Sequence, residues 1–216
     1  MLVLIGGEKG GVGKTTLTLN LATMRARAGK DVLLVDADRQ GSANLWASIR
    51  SEGKVQPPIA CVQKTGKALG SEVRELAKRY SDIIIDAGGR DSVELRAALT
   101  VVRLAVFPLQ ASLFDAATLE TLSQLTEQAQ GFNSELVAGV LLNRASSHPH
   151  VRESDEAREL VKTYSNMHLM ETLVRDRIVY RKSVRDGLSV GEYKPKDELA
   201  EAEMKALYSE VFGHGE

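Results

Sequence analysis

The chain has 216 residues, 43% hydrophobic and 26% charged, with a formal net charge of -1. That length suits one α/β domain with a large buried core. The near-neutral balance excludes a global attraction to nucleic acid and leaves only a local basic patch for such a partner.

A single cysteine, Cys61, excludes an intramolecular disulfide framework, counts against a cysteine-ligated iron–sulfur cluster, and suits a reducing cytoplasm. No apolar run approaches the roughly 18 residues of a membrane span. The first residues enter an apolar segment without the charged region and cleavage site of a secretory signal, so a cytoplasmic chain is expected.

Residues 2–5 read as a first strand, followed by a Gly-rich segment and a helical pattern over 15–28 that Gly29 closes. Residues 32–35 form a fully apolar second strand ending at Asp36-Ala37-Asp38. A helix over 42–49 carries the only tryptophan, Trp46, and 51–58 reads as a loop broken by Pro57-Pro58. A short strand at 59–62, a charged amphipathic helix at 71–80 and an apolar strand at 83–85 follow, the last delivering Asp86. Strands are expected at 101–107 and 136–142, with a helix at 116–130 between them. Helical patterns return at 154–164, 177–186 and 198–212, with a last strand near 168–172.

Apolar strands alternating with helices are βαβ units. The expected fold is therefore α/β, a P-loop NTPase with a mainly parallel twisted sheet and helices on both faces, as one domain over 1–216. Right-handed crossovers place every strand's C-terminal end on one edge. The Gly-rich segment, Asp38, Asp86 and Asn143 then converge on one crevice.

The chemistry begins at Gly7-Glu8-Lys9-Gly10-Gly11-Val12-Gly13-Lys14-Thr15-Thr16. Strand, Gly-rich turn and helix in that order make a phosphate-binding loop: glycines let backbone N–H groups point inward, and the helix adds its positive end. Lys14 is placed to reach the β- and γ-phosphates, and the Thr15 hydroxyl to ligate Mg²⁺. Asp86, ending Ile83-Ile84-Ile85, has the form of a Walker B carboxylate that holds Mg²⁺ through an ordered water.

The strict pattern G-x-x-x-x-G-K-[ST] requires a glycine where Glu8 stands. The form present, KGGxGKT with a second lysine at Lys9, resembles the deviant Walker A box of the ParA/MinD family of ATPases. The resemblance runs from Leu2 to about Tyr193 and implies ATP or ADP bound with Mg²⁺ by Lys9, Gly10, Gly11, Val12, Gly13, Lys14, Thr15 and Thr16. It implies that Lys9 crosses a two-fold interface to the partner's nucleotide in an ATP-dependent sandwich dimer. Asp36-Ala37-Asp38-Arg39-Gln40 resembles the family's switch I, D-x-D-P-Q, with Arg39 replacing the usual proline. By that match Asp38 orients the attacking water and Asp36 supports the Mg²⁺ shell. Gly88-Gly89 falls at switch II, where prolines are more usual. Asn143 fits the position whose amide reads adenine, although the same amide could cap a turn. Phe107-Pro108-Leu109-Gln110-Ala111-Ser112 matches the family's fifth-strand exit.

On a helix near the C-terminus, Arg177 and Arg181 share one face and Lys182 and Arg185 fill an adjoining stripe. This resembles the basic region through which partition ATPase dimers bind DNA without sequence preference, and doubling it by dimerisation makes binding ATP-dependent. Two other readings stay open: a solvated face with ion pairs to Asp176 and Asp186, or an adenine pocket lined by 175–177.

The resemblance is strongest to the short, ParF-like plasmid-partition type, since no helix-turn-helix segment precedes the P-loop. It implies a cytoplasmic, nucleoid-associated protein working with a small ParB/ParG-like centromere-binding adaptor that stimulates slow hydrolysis. A MinD-like membrane ATPase is the alternative within the fold, but the segment Asp197-Glu198-Leu199-Ala200-Glu201-Ala202-Glu203 is acidic, and an anionic leaflet would repel it. No membrane partner is expected. The remaining alternatives are positioning of a non-DNA cargo, such as a protein compartment, and a small-molecule ligase, for which no substrate pocket is identifiable.

Overall fold

The apolar runs pair side by side, as full burial of both faces requires. In a computed structural model describing residues 1–89, 91–110, 116–146 and 153–213, the elements in chain order are β1 (Leu2–Ile5), α1 (Lys14–Arg27), β2 (Val32–Asp36), α2 (Ser42–Glu52), β3 (Ala60–Gln63), α3 (Leu69–Leu76), β4 (Asp82–Asp86), α4 (Val93–Leu99), β5 (Leu104–Gln110), α5 (Ala116–Gln130), β6 (Val137–Ala145), α6 (Glu153–Val161), β7 (His168–Arg175), α7 (Ile178–Arg185) and α8 (Glu198–Phe212).

The seven strands form one sheet in the order β3-β2-β4-β1-β5-β6-β7. Every pairing between them is parallel. From β1 the chain moves out to β2 and β3, returns to insert β4 between β2 and β1, and then crosses to β5, β6 and β7 on the other side. The Gly-rich loop leaves β1 close to where the direction of winding changes. That switch point at the C-terminal edge is where open α/β sheets bind ligands.

Alternate residues of each strand face opposite layers. Val3 and Ile5 join Leu17 and Leu21 of α1 and Met204, Leu207 and Val211 of α8. Leu4 instead joins Leu69 and Val73 of α3, Leu95 of α4 and Leu119 and Leu122 of α5. Trp46 of α2 packs on Leu19 and Leu34 beside the α1 layer.

Helix α4 has no counterpart in the expectations from sequence. Ser92 caps it, its hydroxyl accepting the Leu95 N–H at 3.0 Å. That helix and its closing turn occupy Val101 and Val102, so β5 begins at Leu104 rather than at 101. Asn143 lies within β6 rather than beyond its end. Ala111 and Ser112 lie outside the described residues.

Candidate nucleotide site

The register aligns the acidic groups before any side chain is considered. Asp36 pairs with Asp86, and Asp86 with Ile5, the last residue of β1. Strand pairing thus brings both carboxylates to one rung beside the loop that leaves β1.

That loop reaches α1 through Gly13 at φ 89°, a left-handed residue with no side-chain cap beyond it and no acidic residue in the helix's first turn. The first N–H groups of α1 therefore remain for an anion. A Cβ at Gly13 would lie 2.6 Å from Nδ2 of Asn143, so both the conformation and the space demand glycine.

The Lys14 ammonium is buried and donates to the backbone carbonyl of Lys9 at 2.6 Å. Burial pulls its pKa below the ordinary lysine value, opposed by the charges of Asp86 and Asp38. The Thr15 hydroxyl donates to Oδ2 of Asp86 at 2.7 Å, and Thr18 donates to Oδ1 at 3.3 Å. Burial pushes the Asp86 carboxyl up to about 7 against those two hydrogen bonds and Lys14, with Asp36 reinforcing the rise. A divalent cation beside Asp86 would favour its charged form.

Thr15 and Asp86 are a hard-oxygen pair of the kind Mg²⁺ uses together with water and phosphate oxygens. Among the described residues no group of three or more His, Cys, Asp or Glu is placed to hold a metal. The fit is thus to a cation that arrives with a phosphate ligand and water. Asp36 is engaged differently: its carboxylate accepts the Asp38 N–H at 3.1 Å and the Asn44 N–H at 2.8 Å. It fixes the turn into α2 and so places Asp38, whose own carboxylate accepts the Gln40 N–H at 3.0 Å. Burial raises the Asp36 pKa, those N–H bonds opposing it. At switch II, a Cβ on Gly89 would lie 3.0 Å from the Gly10 nitrogen, which packs that segment directly on the phosphate loop.

Gly13, Lys14, Thr15, Asp38 and Gly89 line one cleft of about 880 Å³ together with Asn143, Arg144, Arg175, Asp176, Arg177, Tyr180 and Arg181, while Asp36 and Asp86 are buried behind that lining. Asn143 donates its amide N–H to the Val12 carbonyl at 2.6 Å, and Arg144 donates to the Gly11 carbonyl at 2.7 Å.

The basic stripe divides. Arg177 does not stand on an exposed face: its guanidinium donates to Glu203 at 2.7 Å and its side chain is only 16% exposed. Arg181 turns to the cleft and pairs with Asp176 at 3.4 Å. Lys182 and Arg185 face outward, Arg185 beside Asp186 at 2.8 Å. Arg144 and Glu203 gave no sequence signal, since both look like ordinary surface charges.

A seven-stranded parallel sheet with a glycine-rich loop, a buried lysine and a Thr–Asp pair at its switch point is a P-loop nucleotide-binding domain. Residues 3–190 match the family model of the CobQ/CobB/MinD/ParA nucleotide binding domain. The chain belongs to that family and is a ParA/MinD-type ATPase. It is 30% identical over 214 residues to the maintenance of carboxysome distribution protein A of Gloeobacter kilaueensis, covering 97% of this chain and 93% of that one. It is 29% identical to the chromosome partitioning protein ParA of Myxococcus xanthus, over 80% of this chain and 74% of that one. Its fold resembles MinD of Pyrococcus horikoshii complexed with Mg-ADP, with a TM-score of 0.72 and 19% identity over 98% of this chain and 95% of that one. No described helix is long and apolar enough to cross a membrane.

Proposed function

We propose that the chain is an ATP-driven DNA-partition switch. Lys14 and the α1 N-terminus hold the phosphates, Thr15 and Asp86 hold Mg²⁺, and Asp38 orients the attacking water. The cation supplies charge neutralisation on the β- and γ-phosphates. Lys9 of each copy reaches the nucleotide of the other, so ATP assembles a dimer. The dimer presents two copies of the outward cations of α7 to DNA phosphates without reading sequence. A small centromere-binding adaptor of the ParB/ParG kind stimulates hydrolysis and resets the switch at the nucleoid.

The observation that carries this reading is the position of α7. Arg181 lines the nucleotide cleft while Lys182 and Arg185 face outward from the same short helix. Occupancy of the cleft and display of the cations are thus properties of one element.

A second reading, ATP-driven positioning of a non-DNA cargo, is favoured by the likeness over 97% of the chain to a carboxysome distribution protein. The test is ATP-dependent binding to random-sequence DNA across a salt series. A Lys182→Ala, Arg185→Ala protein is expected to lose most of that binding, and equal binding would refute the DNA face. Wild-type protein that hydrolyses ATP but never binds DNA would favour the second reading.

A further inference from the structure

Successive side chains of a strand point to opposite faces. Asn143 and Arg144, neighbours in β6, nevertheless reach adjacent carbonyls of the phosphate loop, those of Val12 and Gly11. The register explains how. Leu142 and Ala145 of β6 pair with Leu173 and Arg175 of β7, so β6 covers that interval with one residue more than its neighbour. Asn143 still pairs with Gln110 on the β5 side, which leaves Arg144 as the extra residue. Its φ is 54°, a left-handed conformation that is uncommon for a residue with a side chain. A bulge with such a residue re-aims a side chain, and both features concentrate at functional sites.

The consequence lies in the loop's backbone. In a trans peptide the C=O and the following N–H point in opposite directions. A Gly11 carbonyl held toward Arg144 turns the Val12 N–H away from β6. A Val12 carbonyl held toward Asn143 does the same for the Gly13 N–H. Arg144 is itself steadied by Asp176, 3.7 Å from its guanidinium, and Asp176 also pairs with Arg181 of α7.

We propose that the β6 bulge makes Arg144, with Asn143, a positioning pair that presets the Val12 and Gly13 amides as an anion-binding nest for the phosphates of the nucleotide. The inference rests on the cleft being the nucleotide site and adds which residues shape it. Arg144 acts through the loop, so its contribution falls on the phosphates and is independent of the base.

The test compares binding of a fluorescent ATP analogue, its displacement by ATP, ADP and GTP, and its displacement by inorganic tripolyphosphate, which carries no base. Arg144→Ala is expected to weaken ATP, ADP and tripolyphosphate by the same factor, about tenfold for one charge-assisted hydrogen bond, leaving the ATP-to-GTP preference unchanged. Arg144→Lys, which keeps the charge, is expected to recover part of that loss. Thermal unfolding without ligand separates this from a fold defect, and a stability change in Arg144→Ala with unchanged tripolyphosphate affinity would overturn the proposal. Loss of ATP binding without loss of tripolyphosphate binding would also overturn it and make Arg144 a reader of base or ribose. Failure of the wild type to bind ATP or tripolyphosphate would instead refute the nucleotide site itself.

Discussion

The Lys14 ammonium donates to the main-chain carbonyl of Lys9 at 2.6 Å, so the loop's two lysines are joined through a backbone oxygen rather than through side chains. The carbonyl survives any substitution at position 9 except one that moves the loop. This separates the two lysines experimentally.

Lys14→Ala removes the buried cation of the cleft and is expected to reduce ATP and ADP affinity by two orders of magnitude or about that. Lys9→Ala leaves the Lys14 contact intact and is expected to keep ADP affinity within about twofold while losing the ATP-dependent dimer. Nucleotide titration and sedimentation of the two variants side by side measure both effects.

Arg50 of α2 is 1% exposed and makes a two-pronged pair with Glu192 at 2.7 and 2.9 Å, while also donating to the carbonyls of Pro57 and Gly187. Burial raises the Glu192 carboxyl, but the Arg50 and Ser189 hydrogen bonds outweigh it and hold its pKa below the ordinary glutamate value. A depressed folded-state pKa means that the stabilisation is complete above the unfolded value of about 4.3 and is lost as pH falls through the folded value. Glu192→Gln is expected to cost about 3 kcal/mol at pH 7 by leaving Arg50 buried without its counter-charge. Denaturant unfolding from pH 7 to pH 3 should show wild type and variant converging in acid.

Arg177 carries a prediction opposite to that for its neighbours on α7. Glu203 is buried and takes hydrogen bonds from Arg177, the Arg175 N–H and the Tyr180 hydroxyl. Arg177→Ala should therefore lower stability by about 2 kcal/mol, Arg175 at 3.5 Å retaining part of the pairing. The salt slope of DNA binding should stay unchanged, because a residue that touches no phosphate releases no counterion. Unfolding and a salt titration on the same protein check both.

Much of this was readable in the residues because it is local. The loop, the apolar strands and the carboxylates ending β2 and β4 are contiguous in sequence, and parallel pairing alone brings Asp36 and Asp86 together. Three features were not readable in this way. Helix α4 is only seven residues long, too short for periodicity to rise above its flanks, although Ser92 before Val93-Glu94-Leu95 was an available cap signal. The bulge at Arg144 is a difference in length between two strands, which neither strand shows alone. The burial of Arg50 and Arg177 depends on Glu192 and Glu203, 142 and 26 residues away, a separation that no local pattern reveals, and Arg177 therefore read as part of a basic stripe.

In the proposed function this cleft is half of a shared site, completed by a second copy when ATP is bound. The most direct measurement is the solution mass of the wild-type protein by light scattering, with Mg²⁺ and either ADP or a slowly hydrolysed ATP analogue at saturation. The expected result is the mass of one chain with ADP and of two with the analogue, with Lys9→Ala remaining at one chain in both. A wild-type protein that stays at the mass of one chain with the analogue demonstrably bound would contradict it.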